Sequence, residues 1–144
     1  MLAIGSDHGG FELKEHIKKY LDEQGVKYKD YGIYNEDSAD YPDCAEHVCR
    51  TVIDGEAERG ILVCGTGIGI SIAANKFKGI RAALCSDVYS ATMARLHNDA
   101  NIICLGGRVT GREHAFMIID AWRNAEFLGG RHSRRIEKIH AIEQ

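Results

Sequence analysis

Five apolar segments of strand length, each followed by a stretch with helical spacing, divide the 144 residues at short intervals. Such an alternation with short connections predicts a parallel sheet with helices on both faces. The predicted strands are 2–6, 26–31, 61–64, 80–85 and 101–105. We expect one doubly wound, Rossmann-like α/β domain over residues 1–144, with the flavodoxin-like strand order 2-1-3-4-5 and an extra C-terminal helix over about 132–142.

The third strand ends in a cysteine and a glycine-rich loop. Cys64 follows the run Ile-Leu-Val, and glycines stand at 65, 67 and 69 before a helical pattern that starts at Ile70. Ligands of open α/β sheets bind outside the carboxyl ends of the strands, and the amides of such a loop can stabilise an oxyanion. The spacing matches neither a Walker A loop nor the full dinucleotide fingerprint. The segment alone leaves open whether it is a ligand site or a tight turn beside a buried cysteine.

Cys64 and the pair Asp7 and His8 are the candidate polar residues at predicted strand ends. Cys64 is the only cysteine directly before a glycine loop and a helix start, surroundings that favour a thiolate. Asp7 and His8 follow the first strand, and they share a crevice with Cys64 if the first and third strands are neighbours. An N-cap beside a surface histidine is the alternative. We expect no chemical role for the other cysteines, which have the pattern of buried small apolar residues: Cys44, Cys49, Cys85 and Cys104.

His97 lies in a short predicted loop, 97–99, directly after a predicted helix that ends near Leu96 and returns the chain to the opposite edge of the sheet. We therefore expect His97 to lie out of reach of Cys64 in its own subunit. If His97 is catalytic, a second subunit must bring it to the crevice. The alternative is a cation that interacts with the helix C-terminus. The remaining histidines lie in predicted helices and are assigned no role: His16, His47, His114, His132 and His140.

Arginines near the C-terminus are candidates for phosphate binding. Arg131 and Arg135 are four residues apart on one helix face, next to Gly129 and Gly130. Two converging guanidinium groups can hold a phosphate through paired hydrogen bonds, although a solvated basic face is the alternative. Arg108, after a strand and two glycines, is a third candidate.

Composition and charge exclude several classes of partner. The net charge is -3 with both signs interspersed, which argues against nucleic acid or an anionic membrane as a general partner. We find no apolar run of membrane-spanning length and no signal peptide. Five cysteines without zinc spacing favour a reducing cytoplasm. The acidic loop 36–40 lacks calcium-loop spacing, so we expect no metal site.

Taken together, these segments resemble the type B ribose-5-phosphate isomerases, within the sugar-phosphate isomerase family that includes galactose-6-phosphate isomerase. The matching segments occur in the same order over almost the whole chain. They are 5–10 (GSDHGG), 40–42 (DYP), 64–76 (CGTGIGISIAANK), 95–99 (RLHND), 106–108 (GGR) and 130–135 (GRHSRR).

The resemblance implies an isomerase without metal or cofactor that interconverts D-ribose 5-phosphate and D-ribulose 5-phosphate through an enediolate. It also implies a homodimer or dimer of dimers with shared sites. Cys64 would be the general base between C2 and C1, and His97 would open the sugar ring. The amides of Gly65, Thr66, Gly67, Ile68 and Gly69 would stabilise the enediolate, Asp7 and Asn98 would bind sugar oxygens, and His8, Arg108, Arg131 and Arg135 would hold the phosphate.

Relatives that lack the cysteine use a glutamate in the glycine loop, where this chain has Ile70. The same motifs are compatible with a six-carbon substrate, such as allose 6-phosphate or galactose 6-phosphate. A phosphate-binding module without activity is a third interpretation, disfavoured because Cys64 and His97 are both present.

Overall fold

The computed structural model describes residues 1–143, which form an alternating series of strands and helices. The strands are β1 (Leu2–Ser6), β2 (Tyr28–Asp30), β3 (Arg59–Cys64), β4 (Ala82–Leu84) and β5 (Ile102–Gly106). The helices are α1 (Phe11–Glu23), α2 (Tyr41–Ile53), α3 (Ile68–Ala74), α4 (Val88–Asn98), α5 (Arg112–Asn124) and α6 (Arg131–Ile142).

The strands form one parallel sheet in the order β2-β1-β3-β5-β4. The parallel five-stranded sheet is confirmed, but the predicted order 2-1-3-4-5 is wrong for its last two strands. The five-residue β5 has no charged or polar side chain and takes the central position next to β3, where every residue is buried, whereas the three-residue β4 lies at the edge and is partly exposed. The side-chain amide of Asn75 accepts a hydrogen bond from the Ala82 amide (2.8 Å) and donates one to the Ala82 carbonyl (2.9 Å). These bonds pair backbone groups of the edge strand β4.

The two faces of the sheet carry separate apolar cores. Alternate residues of β1, β3 and β5, such as Ile4, Ile61 and Ile103, pack with helices α1, α4 and α5. The intervening residues pack with α2 and α3 on the other face. Central strands buried on both faces explain the near-continuous apolar runs, and each fully buried isoleucine contributes about 1.5–3 kcal/mol.

Two helix boundaries differ from the prediction near the candidate residues. Helix α3 starts at Ile68 rather than Ile70. Helix α4, capped at its start by the Asp87 carboxylate (2.7 Å from the Ser90 amide), continues through His97 and Asn98, which we had predicted to be in a loop. No helix within residues 1–143 is both long enough and apolar enough to span a bilayer.

Candidate active site

The loops after β1, β3 and β5 meet at the carboxyl edge of the sheet, because these three strands are neighbours. The amide of Gly107 donates to the Cys64 carbonyl (2.8 Å), and the amide of Arg108 donates to the Gly65 carbonyl (3.0 Å). On the other side, the Asp7 amide donates to the carbonyl of Val63 (3.3 Å). The loops that carry Asp7, His8 and Cys64 are therefore neighbours, as expected for a shared crevice, and the loop after β5 adds Arg108.

The Cys64 sulfur accepts a hydrogen bond from the Gly67 amide, with N and Sγ 3.1 Å apart. Gly67 has φ +80°, and a Cβ at this position would lie 2.8 Å from the carbonyl carbon of Leu105. Only glycine therefore fits the turn that aims this amide at the sulfur. Cys64 itself is only 4% exposed. An N–H donor at this distance stabilises negative charge on sulfur, which is what a thiolate base needs.

The other four cysteines are buried thiols. Burial raises the pKa of Cys44 and Cys85 to about 11 and that of Cys49 to about 12, and it also raises the pKa of fully buried Cys104. These four side chains remain protonated thiols near neutral pH, and all are buried and unpaired. The prediction that these four cysteines are buried is confirmed.

The glycine loop presents backbone amides beside the sulfur. The first intrahelical bond of α3 joins the Ser71 amide to the Gly67 carbonyl (3.2 Å), so the amides of Gly69 and Ile70 precede it and lack an intrahelical partner. The Ile68 amide is held by the hydroxyl of Thr66 (3.1 Å). Because α3 has only seven residues, the individual N–H groups matter more here than its dipole.

His8 and Asp7 are held in defined orientations. The Nδ1 atom of His8 accepts a bond from the Ala39 amide (3.1 Å), so the neutral ring carries its proton on Nε2, which is left to donate. The Asp7 carboxylate accepts a bond from the Gly10 amide (3.1 Å). Arg108 lies against the glycine loop, with Nη1 3.0 Å from where a Cβ on Gly65 would be.

Tyr41 is a residue of this crevice that our sequence reasoning missed. A Cβ on Gly69 would lie 2.7 Å from the Tyr41 Cζ, so the ring covers the first turn of α3. The sequence carried one signal, since Tyr41 belongs to the matched segment 40–42. That segment starts α2, which places Tyr41 at the same edge as Cys64.

The remaining predicted residues lie at the opposite, amino edge of the sheet. His97 and Asn98 occupy the last turn of α4, and the Asn101 carbonyl, a few residues later, accepts a bond from Gly60 at the start of β3 (2.9 Å). The four steps from Gly60 to Cys64 span about 13 Å at ~3.3 Å per residue. The expectation that His97 lies away from its own Cys64 is confirmed.

Helix α6 brings its arginines to this same amino edge. The imidazole of His132 stacks on that of His97, with ring centroids 4.2 Å apart and an 11° angle between planes. Arg131 and Arg135 belong to the same helix. Burial of the ring, and the positive charges of His97, Arg131 and Arg135, lower the pKa of His132. The sequence predicts no role for His132, and no sequence spacing links it to His97.

The predicted site residues thus form two groups. The crevice group at the carboxyl edge contains Asp7, His8, Cys64, Gly65, Thr66, Gly67, Ile68, Gly69 and Arg108. The amino-edge group contains His97, Asn98, Arg131 and Arg135. Asn98 lines a cavity of about 690 Å³, and a second cavity of about 560 Å³ lies beside α2, but Cys64 lines neither.

No group of three or more His, Cys, Asp or Glu side chains in the described part of the chain is arranged to hold a metal ion. The polar groups of the crevice are amides, one carboxylate, an imidazole and a guanidinium. Such a set suits an anionic organic ligand.

Comparison with known proteins identifies the family. Residues 2–139 match the ribose/galactose isomerase family. The chain belongs to the ribose/galactose isomerase family. Among family members, ribose-5-phosphate isomerase B of Escherichia coli is 53% identical over 143 residues, which cover 99% of this chain and 96% of that protein. D-erythrulose-4-phosphate isomerase of Pectobacterium atrosepticum is 48% identical, covering 99% and 94%.

The family fold is shared as well. The structure of Clostridium thermocellum ribose-5-phosphate isomerase B superimposes with a TM-score of 0.97 at 53% identity, covering 99% of this chain and 96% of that one. The similarity therefore extends across both the crevice group and the amino-edge group of this isomerase-family chain.

Proposed function

We propose that this chain is an aldose–ketose isomerase that interconverts D-ribose 5-phosphate and D-ribulose 5-phosphate in a dimer with shared sites. The observation that carries the chemistry is the Cys64 sulfur on the Gly67 amide, beside the glycine loop at the sheet edge where ligands bind. Support for the substrate comes from the relatives named ribose-5-phosphate isomerase B, about half identical over nearly the whole chain.

The separation of the two residue groups supports the proposal of a shared site. Cys64 lies at the carboxyl edge, and His97, Arg131 and Arg135 lie at the other edge of the same sheet. One substrate reaches both groups when the amino edge of a second copy closes over the crevice. In a two-fold dimer this contact occurs twice, giving two equivalent sites, and a dimer of dimers keeps that arrangement.

Ring opening is the first chemical step. His97 donates a proton to the ring oxygen as its bond to C1 breaks, and the C1 hydroxyl loses its proton, which leaves the linear aldehyde. His97 is placed for this role in the last turn of α4, where the helix C-terminus favours a positive charge. Asp7 and Asn98 bind the sugar hydroxyls in our proposal, one from each group.

Proton transfer between carbons is the second step. The Cys64 thiolate takes the C2 proton, the C–H electron pair forms the C1–C2 double bond, and the carbonyl pair moves onto O1. Return of the proton to C1 and transfer of the O2 proton to O1 complete the ketose. Amides of Gly65–Gly69 face the negative charge of the enediolate, and one well-placed donor is worth about 3 kcal/mol.

Phosphate binding positions the reacting carbons without taking part in bond changes. In our proposal His8 and Arg108 approach the phosphate from the crevice, and Arg131 and Arg135 approach it from the partner subunit. Four cationic or N–H donors compensate its two negative charges, and the binding energy holds C1 and C2 against the sulfur.

A second candidate substrate is a sugar phosphate of another length. One relative is named for the four-carbon D-erythrulose 4-phosphate, and the family description includes galactose.

We propose that the protein is one isomerase domain over residues 1–144. We also propose that it acts in a reducing cytoplasm, since all five cysteines are free and buried.

The test is a substrate panel with purified protein. We expect kcat/KM for ribose 5-phosphate to exceed the values for erythrose 4-phosphate, allose 6-phosphate and galactose 6-phosphate, and we expect a chelator to leave it unchanged. A higher kcat/KM for another sugar phosphate would reassign the substrate. Binding of ribose 5-phosphate without turnover would leave only a ligand-binding module.

A further inference from the structure

The imidazole of His132 lies against His97 in a place that the mechanism above does not use. The two rings are stacked at 4.2 Å, nearly parallel, and His132 is only 9% exposed. The Leu128 amide donates to the Leu96 carbonyl (3.0 Å), and the His132 amide donates to the Gly129 carbonyl (3.1 Å). These bonds hold the first turn of α6 against the last turn of α4, so the stacking is built into the fold.

A histidine that must protonate a ring oxygen needs a fixed ring plane. The χ2 torsion of histidine is broad, and in many enzymes a hydrogen bond to one ring nitrogen sets it. Within residues 1–143 the ring nitrogens of His97 have no hydrogen-bond partner from their own chain. The face of His132 is the contact that restrains the ring, and it leaves both nitrogens available to substrate.

The surroundings of His132 disfavour a positive charge on its own imidazole. His132 lies at a helix N-terminus beside Arg131 and Arg135, where a positive charge is unfavourable. Its burial and these neighbours lower the pKa of His132. The nearby Asp99 carboxylate is engaged by Arg95 (2.9 Å). His132 is therefore a neutral aromatic face packed against the His97 ring.

We propose that His132 is a positioning residue for ring opening, which sets the plane of the His97 imidazole by stacking and takes no part in proton transfer itself. This inference rests on the proposed isomerase function. It predicts that the aromatic face of residue 132 matters and that its nitrogens do not.

The experiment compares His132→Phe, which keeps a flat ring, with His132→Ala and His132→Gln, which do not. Each is assayed with ribose 5-phosphate, which is mainly cyclic, and with ribulose 5-phosphate, which is linear because O5 carries the phosphate. We expect the Ala and Gln variants to lose kcat on ribose 5-phosphate by roughly ten- to a hundredfold, the scale of a displaced catalytic group. Their loss on ribulose 5-phosphate should be small, and the Phe variant should resemble wild type on both.

The control is His140→Ala, another histidine of α6, which should leave both rates unchanged. If His132→Phe loses as much kcat on ribose 5-phosphate as His132→Gln, a nitrogen of His132 is required, and the inference is overturned. So would equal losses on both sugars, or a rise in KM alone, because either result would indicate damage to phosphate binding. Wild-type protein inactive on both sugars would instead refute the proposed function.

Discussion

Two inactive variants that lack different halves of the site should restore each other when they pair. Cys64→Ala removes the proposed base from the crevice group, and His97→Asn removes the proposed ring-opening acid from the amino-edge group. In a hybrid dimer, one site combines the intact Cys64 of one copy with the intact His97 of the other. The second site of that hybrid lacks both residues.

The expected magnitude follows from counting sites. Equal amounts of the two variants, paired at random in two-fold dimers, form hybrids in about half of the dimers, and half of the sites in each hybrid are intact. The mixture should therefore recover about a quarter of wild-type kcat per site. Hybrids purified through two different affinity tags should recover about half.

The assay is turnover of ribose 5-phosphate after the two variants are co-expressed or refolded together. Each variant refolded with itself is the control and should stay inactive. The reasoning depends on the separation of Cys64 from His97 by the length of a strand within one chain. Purified hybrids without activity would refute the shared site, and a strictly monomeric wild-type enzyme with full activity would do the same.

Three other variants probe single contacts. His97→Asn should reduce kcat with ribose 5-phosphate by on the order of a hundredfold but spare the linear ribulose 5-phosphate, so equal losses would remove the ring-opening role. Gly67→Ala places a Cβ 2.8 Å from the Leu105 backbone at φ +80°, and we expect about 1–3 kcal/mol less stability in urea melts together with lower kcat. Asp30 is paired with buried Lys14 (2.8 Å), so Asp30→Asn should cost about 3 kcal/mol at pH 7. Burial alone would raise the pKa of Asp30, but hydrogen bonds from lysines lower it below 3.8, so this stability is present above pH 3.8 and lost below it, and a pH-independent difference between the two proteins would contradict the account.

The sequence was sufficient to predict that the crevice residues lie together. That prediction needs only the rule that the carboxyl ends of neighbouring parallel strands lie at one edge of the sheet. Asp7, His8 and Cys64 follow strands that were expected to be neighbours, and they are. The same rule placed His97 at the other edge, since a helix that links two parallel strands must return there.

The order of the last two strands could not be obtained in this way. The segments 80–85 and 101–105 are both short and apolar, and connection rules allow either to pair with β3. Arg81, the second residue of the first run, was the available sign of an edge position. Contacts between distant elements were equally hidden, as with Tyr41 over Gly69 and His132 against His97.

The central claim is that the Cys64 thiolate moves a proton between C1 and C2. The most direct measurement is kcat of Cys64→Ala with ribulose 5-phosphate, which bypasses ring opening. Cys49→Ala, the same change at another buried cysteine, is the matched control. The account predicts at least a hundredfold loss for Cys64→Ala with substrate binding retained, and little change for Cys49→Ala. Turnover by Cys64→Ala at a rate close to wild type would contradict it.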